Sequence, residues 1–548
     1  MFQYITVFDP TRSHGEDDLH QQLLLYHSFE GSENSLNDKL GQIGVIQGLW
    51  SLTTTLSEDL EVKEKVVELE KNVLLVIHVE SRFFISLGLT HDGSTPYQFY
   101  LSHLWLCYRF FTLWHGNFSS FEDARELTNL LNEYFVPFWI DLQATPGAIV
   151  RKGVASLWPE YHRVAELDFS PSDQSWESLI NQDILLESES YLGIKDILVY
   201  HLPPYGQGPG NKTQGLVRHF SNDLDITSHI SNWLYHSHAV YDTLSSHVLA
   251  SNTHYKETPA EASGEVAANS AGETILHNLT LPITLAYDAV QEVGATTGIS
   301  SSISLFMDYF PKWTTSPMSA MVGSDTITEG SATAPPYGYL ISPLCGKSLP
   351  DNYKMRVVHS QMGTPNEKTY NCLFWYYRDV VVVIVSESTF EKIWDRQYLE
   401  DLSYKLFRSI ERFYATAFQS DAHSKKDPFG YALLSKHSGE LRCSIPSCPN
   451  MGDKIYSTFL DPLPQDKLWE LQLELVQFLQ SLQNSRRLHD ASEERLLRLS
   501  NGVVCFLRET PDELALVVAN WFDETSQKGS TLISGLGPAA TRWWLNRT

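Results

Sequence analysis

Compact apolar runs and helical periods follow one another along this chain in an order that comes round three times. "FQYITVFD" and "LLLYHS" have the length and composition of buried strands. A 3.6-residue period takes over from Leu36 to about Leu56, opened by Ser35 and Asp38 at capping-box spacing. "VLLVIHVE" and "FFISLGL" then read as two strands joined by a tight Ser81-Arg82 turn. Pro96 starts an aromatic-rich helix ending near "WHGN", and a further helix runs from about Phe121, with an interruption expected at Pro137. Such a sheet buries one face under the first helix and the other under the last two.

The order then recurs. "DILVYHLPPYGQGPGNKTQGLVRHF" reads as strand, Pro/Gly loop and returning strand, followed by a helix from roughly Ile226 to Ala250. "YGYLIS", "YKMRVVHS", "CLFWYY" and "DVVVVIVS" are strand signals, closed by a long helix from about Thr389 to Phe418. From Phe429 come a hairpin around Ser438-Gly439, an amphipathic helix in "PQDKLWELQLELVQFLQSL", and the strands "GVVCFLR" and "LALVVANWF". The expected class is α/β (α+β), with three domains, each a mixed or antiparallel sheet flanked by helices. The expected division is 1–143, a polar linker over 144–190, then 191–420 with a disordered insertion around 252–275. The third domain, 427–548, is expected to be shortened because little chain follows Phe522.

Composition narrows the function. A length of 548 residues, 42% apolar and 12% aromatic, suits two to four globular domains. The net charge of −26 argues against nucleic acid as a partner, and against an anionic membrane contact that rests on overall charge. Six cysteines in so long a chain read as reduced thiols. Cys443 and Cys448 lack a second Cys/His pair, so no metal is expected. "MFQYITVFDP" shows no signal peptide, and the run Val380 to Val385 is too short to span a bilayer, which suits a cytoplasmic protein. Neither a G-x-x-x-x-G-K-[ST] loop nor a G-x-S-x-G elbow is present, and no nucleophile or acid/base pair stands out. The expectation is a binding protein without bond-making chemistry or cofactor.

"LGQIGVIQGLW" is the most pointed stretch. An interior glycine costs a helix about 0.5–1 kcal/mol relative to alanine, yet Gly41, Gly44 and Gly48 occur together. On a helical wheel Leu36, Leu40, Ile43, Ile46 and Trp50 form a core stripe. The glycines fall on a second side, and Val45, Leu49 and Leu52 lie opposite the core. Two readings stay open: a helix buried all round, or one whose outer face docks a partner at close range.

Three weaker features remain. His229, His236 and His247 line one edge of the Ile226–Ala250 helix; they are too far apart for one metal ion and read as boundary histidines, with a pH sensor as the alternative. In "GATTGISSSISLFMDYF", Ile299, Ile303, Phe306 and Phe310 share one helical face amid Ser and Thr, the composition of a lipid-packing sensor, or else of a helix packed on its own domain. Trp176/Leu179 and Tyr191/Ile194 stand at aromatic-x-x-aliphatic spacing beside acidic residues, a pattern that ubiquitin-like autophagy proteins accept by strand addition and that also arises by chance.

The first quarter of the chain resembles a known family. Phe8-Asp9-Pro10, Leu25-Tyr26-His27, Ile43-Gly44 with Gly48, and the stretch Phe110 to Gly116 match the first longin domain of the vacuolar fusion protein Ccz family. Related first domains occur in a Hermansky–Pudlak syndrome protein and in inturned. The resemblance implies a three-longin protein that pairs with a monensin-sensitivity (Mon) type longin subunit. Together they form a guanine nucleotide exchange factor for the late-endosomal and vacuolar Rab GTPase, the seventh-class Rab, in endosome maturation, vacuole fusion and autophagy. It also implies peripheral recruitment to late endosome, vacuole/lysosome and autophagosome membranes. The glycine helix lies where such subunits pair and meet the GTPase, which puts Gly41, Gly44, Val45, Gly48, Leu49 and Leu52 in the expected contact. The competing readings are a non-catalytic longin adaptor or tether on endosomal membranes, and a Hermansky–Pudlak-type exchange subunit for lysosome-related organelles.

Overall fold

The computed structural model describes residues 2–144 apart from 16, 32–34, 57–62 and 91–96, followed by 157–167, 175–185, 193–202 and 213–241 apart from 221–223. Beyond these it describes 254–256, 337–339, 353–360, 368–377, 380–418, 429–445, 471–479 apart from 472, 493–499, 503–519 and 537–545. The expected insertion around 252–275 lies largely outside them.

Three sheets share one strand permutation. The first contains β1 (Phe2–Phe8), β2 (Leu23–Ser28), β3 (Glu64–Glu68), β4 (Asn72–Val79) and β5 (Phe83–Thr90), in the spatial order β2-β1-β5-β4-β3. All four pairings are antiparallel. The second contains β7 (Ile194–His201), β8 (Gly215–His219), β11 (Tyr353–Ser360), β12 (Lys368–Tyr377) and β13 (Val380–Glu387), in the order β8-β7-β13-β12-β11. Two short strands, β9 (His254–Lys256) and β10 (Tyr337–Tyr339), pair with β11 and β12. In the third, β14 (Gly430–Ser435), β15 (Glu440–Cys443), β16 (Glu493–Arg498), β17 (Val504–Glu509) and β18 (Glu513–Val518) again run second, first, fifth, fourth, third. Besides β9, which falls in the expected disordered insertion and pairs with β11 instead, two of these strands were not expected: β3, "EKVVE", and β16, "EERLLR". Both are sheet edges carrying charge, which hides their alternation and guards against pairing with other chains.

A helix follows the second strand each time and covers one sheet face. These are α1 (Leu36–Leu56), α5 (Leu224–Tyr241) and a segment helical over 473–479. The helices after the fifth strand cover the opposite face: α2 (Tyr97–His115) and α3 (Ala124–Ala144), then α6 (Arg396–Phe418), then α7 (Pro538–Leu545). The third domain thus has a closing helix, whose Ala540 and Trp544 pack beside Phe429 and Val517. Helix α3 is continuous through Pro137, contrary to expectation. Burial of Phe135, Phe138 and Trp139 around it offsets the roughly 3 kcal/mol that an interior proline costs.

The domains are welded by α2. Its Leu104, Cys107, Phe110, Phe111, Leu113 and Trp114 are buried in one core that also holds Ile226, Ile230, Trp233 and Phe374 of the second domain. Trp114 meets Trp233 edge-on at 5.0 Å between ring centroids. His236 stacks on Phe138 at 5.0 Å and lies 5.3 Å from Phe110. His236 is therefore part of an interdomain core rather than a boundary residue, and His247 lies outside the described residues.

The stretch expected as a linker, 144–190, is partly built into both neighbouring sheets. Strand β6 (His162–Arg163) pairs in parallel with β15, with His162 N–H donating to Gly439 O at 2.8 Å and Val164 N–H to Leu441 O at 2.9 Å. The next residue turns to the second sheet, where Ala165 N–H donates to Leu216 O at 2.8 Å. Buried Arg163 donates to Cys443 O at 2.9 Å and to Tyr235 Oη at 3.0 Å, and so ties three segments together. Gly215 is required here: its φ is +130°, and a Cβ would sit 2.6 Å from the Arg163 carbonyl oxygen. Helix α4 (Ser175–Ile180) packs on α6, with Trp176 fully buried 4.9 Å from Phe413.

His162, 1% exposed at this seam, has neither ring nitrogen hydrogen-bonded among the described residues. Burial, and to a lesser degree the neighbouring His219, pushes its pKa down to about 4. The unfolded chain, with a histidine pKa of about 6.5, takes up the proton first as pH falls. The stabilisation by neutral His162 is thus fully present above pH ~6.5 and is lost towards pH ~4. At pH ~5 the loss is about 2 kcal/mol. Urea denaturation midpoints at about pH 7.5 and 5 check this: His162→Leu should lose less stability on acidification than the natural chain, and superimposable pH profiles would refute it.

Candidate functional site

Helix α1 opens as its spacing predicts. Ser35 N–H and Oγ–H donate to Asp38 Oδ2 at 3.1 and 2.7 Å, and Asp38 N–H donates back to Ser35 Oγ at 3.2 Å. Ile43 and Ile46 are buried on the sheet against Tyr4, Phe8, Leu74 and Val76. Trp50 is partly buried, edge-on to Phe84 at 5.4 Å, and His78 stacks on the same Phe84 at 4.4 Å. Burial of His78 lowers its pKa.

Polar pins hold both flanks. Towards β2, Tyr26 Oη donates to Gln42 Oε1 at 2.7 Å and Gln47 Nε2 donates to Gln22 Oε1 at 2.9 Å. Towards β3, Lys65 Nζ donates to Trp50 O at 3.0 Å and lies 4.3 Å from the Trp50 ring centroid. That lysine, on a strand not foreseen from the sequence, fixes the C-terminal half of the helix.

The outer face is bare. A Cβ on Gly41, Gly44 or Gly48 would meet nothing within 4 Å. Val45 is 53% exposed and Leu52 57%. No charged residue occurs anywhere from Leu40 to Leu56. The structure therefore rejects burial on all sides and brings Gly41, Gly44, Val45, Gly48 and Leu52 together on one exposed, uncharged strip. Two assignments change. Leu36, expected in the core stripe, is 52% exposed because the first helical turn overhangs the sheet. Leu49, expected on the outer face, is half-buried and packs on the flank of the core beneath α1.

The other two domains show what this strip lacks. Helix α5 is covered by α2 of the first domain through the Trp114–Trp233 contact, and Val476 of the 473–479 segment joins the core around α2. Among the described residues, α1 alone of the three equivalent helices keeps its outer face open.

The remaining sequence candidates fare differently. Trp176 lies in a helix with its indole inside the second domain, and Ile194 is buried in β7, so neither is presented as an extended docking peptide. Leu179 is half-buried, and Tyr191 lies outside the described residues, as do Ile299, Ile303, Phe306 and Phe310. Cys443 is buried in the third core and Cys448 lies outside the described residues.

Comparison with known proteins fits this architecture. Residues 2–116 match the family described as the first longin domain of INTU, CCZ1 and HPS4, a span that contains α1 and the whole first sheet. The chain is 35% identical to the vacuolar fusion protein CCZ1 of Saccharomyces cerevisiae, covering 99% of each chain. It is 33% identical to the protein of that name from Candida glabrata, covering 99% of this chain and 96% of the relative. With that from Eremothecium gossypii the identity is 29%, over 100% of this chain and 99% of the relative. The match runs through all three sheets and not only the first, so the chain belongs to the CCZ1 family of vacuolar fusion proteins.

Proposed function

We propose that this chain acts in vacuole fusion as one subunit of a heterodimeric guanine nucleotide exchange factor for the seventh-class Rab GTPase of late endosomes and vacuoles. The observation that carries the reading is the open outer face of α1 in a chain whose equivalent helices are covered from within. Three interior glycines cost α1 about 1.5–3 kcal/mol in total relative to alanine, and nothing among the described residues requires them. Their use lies outside the chain: without Cβ atoms the strip admits another backbone at close range. The occupant under this reading is a Mon-type longin subunit, and the GTPase is engaged beside that junction.

Exchange requires no bond chemistry. A factor that binds the nucleotide-free GTPase more tightly than the loaded one lowers nucleotide affinity by the same factor, because the two equilibria are linked. A rigid three-domain scaffold suits the task, since energy gained at the contact is not dissipated in ordering the factor itself. Peripheral recruitment to late endosome, vacuole and autophagosome membranes belongs to the same proposal.

Two experiments test it. Release of fluorescent GDP from the seventh-class Rab should accelerate with the purified pair and not with either subunit alone; a pair without effect would favour an adaptor or tether. Second, Gly44→Leu and Gly48→Leu should keep the natural thermal midpoint while co-purification with the Mon-type subunit falls. Changing all three glycines to alanine should raise stability by about 1.5–3 kcal/mol and still weaken assembly. Normal assembly of the leucine variants, or their unfolding, would remove α1 from the interface.

A further inference from the structure

Away from α1, a cleft of about 290 Å³ opens where the first domain, the 157–160 connector and the third domain meet. Its apolar lining comes from Leu157, which is half-buried, and from the buried Leu101 of α2 and Val476 and Leu479 of the 473–479 segment. Indole rings of Trp105 and Trp158 flank it, and carboxylates from two different segments, Glu64 on β3 and Glu160 on the connector, stand at its mouth.

The polar groups of this cleft offer mostly acceptors. Glu64 takes one hydrogen bond, from Trp105 Nε1 at 2.6 Å. Gln98 Oε1 is buried without a donor among the described residues. Ser102 Oγ spends its hydrogen on the Gln98 carbonyl at 2.7 Å. The one cation lining the cleft among the described residues, Arg109, donates to the Pro159 carbonyl at 2.7 Å and interacts with Glu160. Two carboxylates against one guanidinium leave the cleft with a net negative charge.

We propose that this cleft binds an alkylammonium group, its amine between Glu64 and Glu160 and its aliphatic stem along Leu157, Leu101 and Leu479. An ammonium carries three donors and no acceptor, which complements the unfilled acceptors here, and indole faces favour a cation beside them. The apolar wall selects an amine with a carbon chain over a hydrated metal ion, which would leave that wall wet. Bound there, the ligand bridges β3 and α2 of the first domain to the third domain and stiffens their junction.

The site also carries a pH signature. Desolvation raises the carboxyl pKa of Glu64 against its hydrogen bond from Trp105; it raises that of Glu160 against a main-chain hydrogen bond and the charge of Arg109, with a smaller upward push from Glu64. Glu64, Glu160 and Arg109 are the charged groups lining the cleft. Because both carboxyls take up protons above the usual carboxylate range, affinity for the amine falls on mild acidification.

Isothermal titration of the full chain with 1,5-diaminopentane tests the proposal, in about 0.15 M salt, where screening over ~8 Å suppresses diffuse attraction to the acidic surface. The expected result is saturable one-to-one binding that weakens roughly tenfold or more in the Glu64→Gln/Glu160→Gln double variant, with its thermal midpoint in the absence of ligand preserved. N-acetyl-lysine methylamide forms the second arm. Binding of both compounds would support the site with a partner's lysine as the source, and binding of the diamine alone would support it with a free polyamine. Absence of saturable binding by either compound, or binding unchanged in the double variant, would overturn it.

Discussion

Every residue of helix α2 is buried or half-buried, and the rest of the architecture depends on that constraint. Its sequence, "YQFYLSHLWLCYRFFTLWH", is apolar or aromatic almost all round, so it is stable only between two layers. One layer is the first sheet with α3; the other is the second sheet with α5. Each fully buried aromatic contributes about 1.5–3 kcal/mol, and Phe110, Phe111 and Trp114 each have neighbours in this shared core. The first domain cannot lift away from the second without exposing that surface. The same helix contributes Leu101 and Trp105 to the junction with the third domain. The chain is a scaffold of three longin-like sheets with one internal spine.

The seam between the second and third sheets is polar where the α2 interface is greasy, and it holds by a different logic. Arg163 is buried, so its guanidinium is tolerable only while acceptors stay in place. Two of them, Cys443 O and Tyr235 Oη, come from the third and second domains. Separating those domains would strand both the charge and the carbonyl of Cys443. The main-chain bonds from Val164 to Leu441 and from Ala165 to Leu216 reinforce this. They make 162–165 a shared rail between the two sheets.

Interior strands and helices were legible because each buries one face and so obeys a simple period: "VLLVIHV" and "VVVVIVSE" are buried nearly throughout, as their composition demands. Signals failed where function in the fold is set by a distant neighbour. Edge strands β3 and β16 look like charged loops until a partner strand is placed beside them. The connector over 157–167 has no periodicity, since its role is to supply individual bonds to two different sheets. Trp176 resembled a docking motif because aromatic-x-x-aliphatic spacing is also what a short amphipathic helix needs to bury a tryptophan. On α1 the wheel separated core from outer face correctly at Ile43, Ile46, Gly44, Gly48, Val45 and Leu52. It misjudged Leu36 and Leu49, since a wheel does not know where the sheet ends or how far it wraps around the helix.

Glycines separate what the fold needs from what it does not. At Gly88 a Cβ would lie 2.4 Å from the Tyr4 ring, at Gly193 it would lie 2.0 Å from the Phe390 ring, and at Gly215 it would strike the Arg163 carbonyl. These three are dictated by internal packing, and any side chain there displaces neighbours. Gly41, Gly44 and Gly48 face open space on a helix that alanine would strengthen. Packing among the described residues does not explain the second set, because none of their atoms comes within 4 Å of a Cβ built at those positions. Solubility cannot explain it either, because a charged residue at any of the three positions would serve better than a bare backbone beside Val45 and Leu52. The proposed close approach by something outside the chain accounts for the second set, on the middle helix that, among the described residues, the scaffold leaves uncovered.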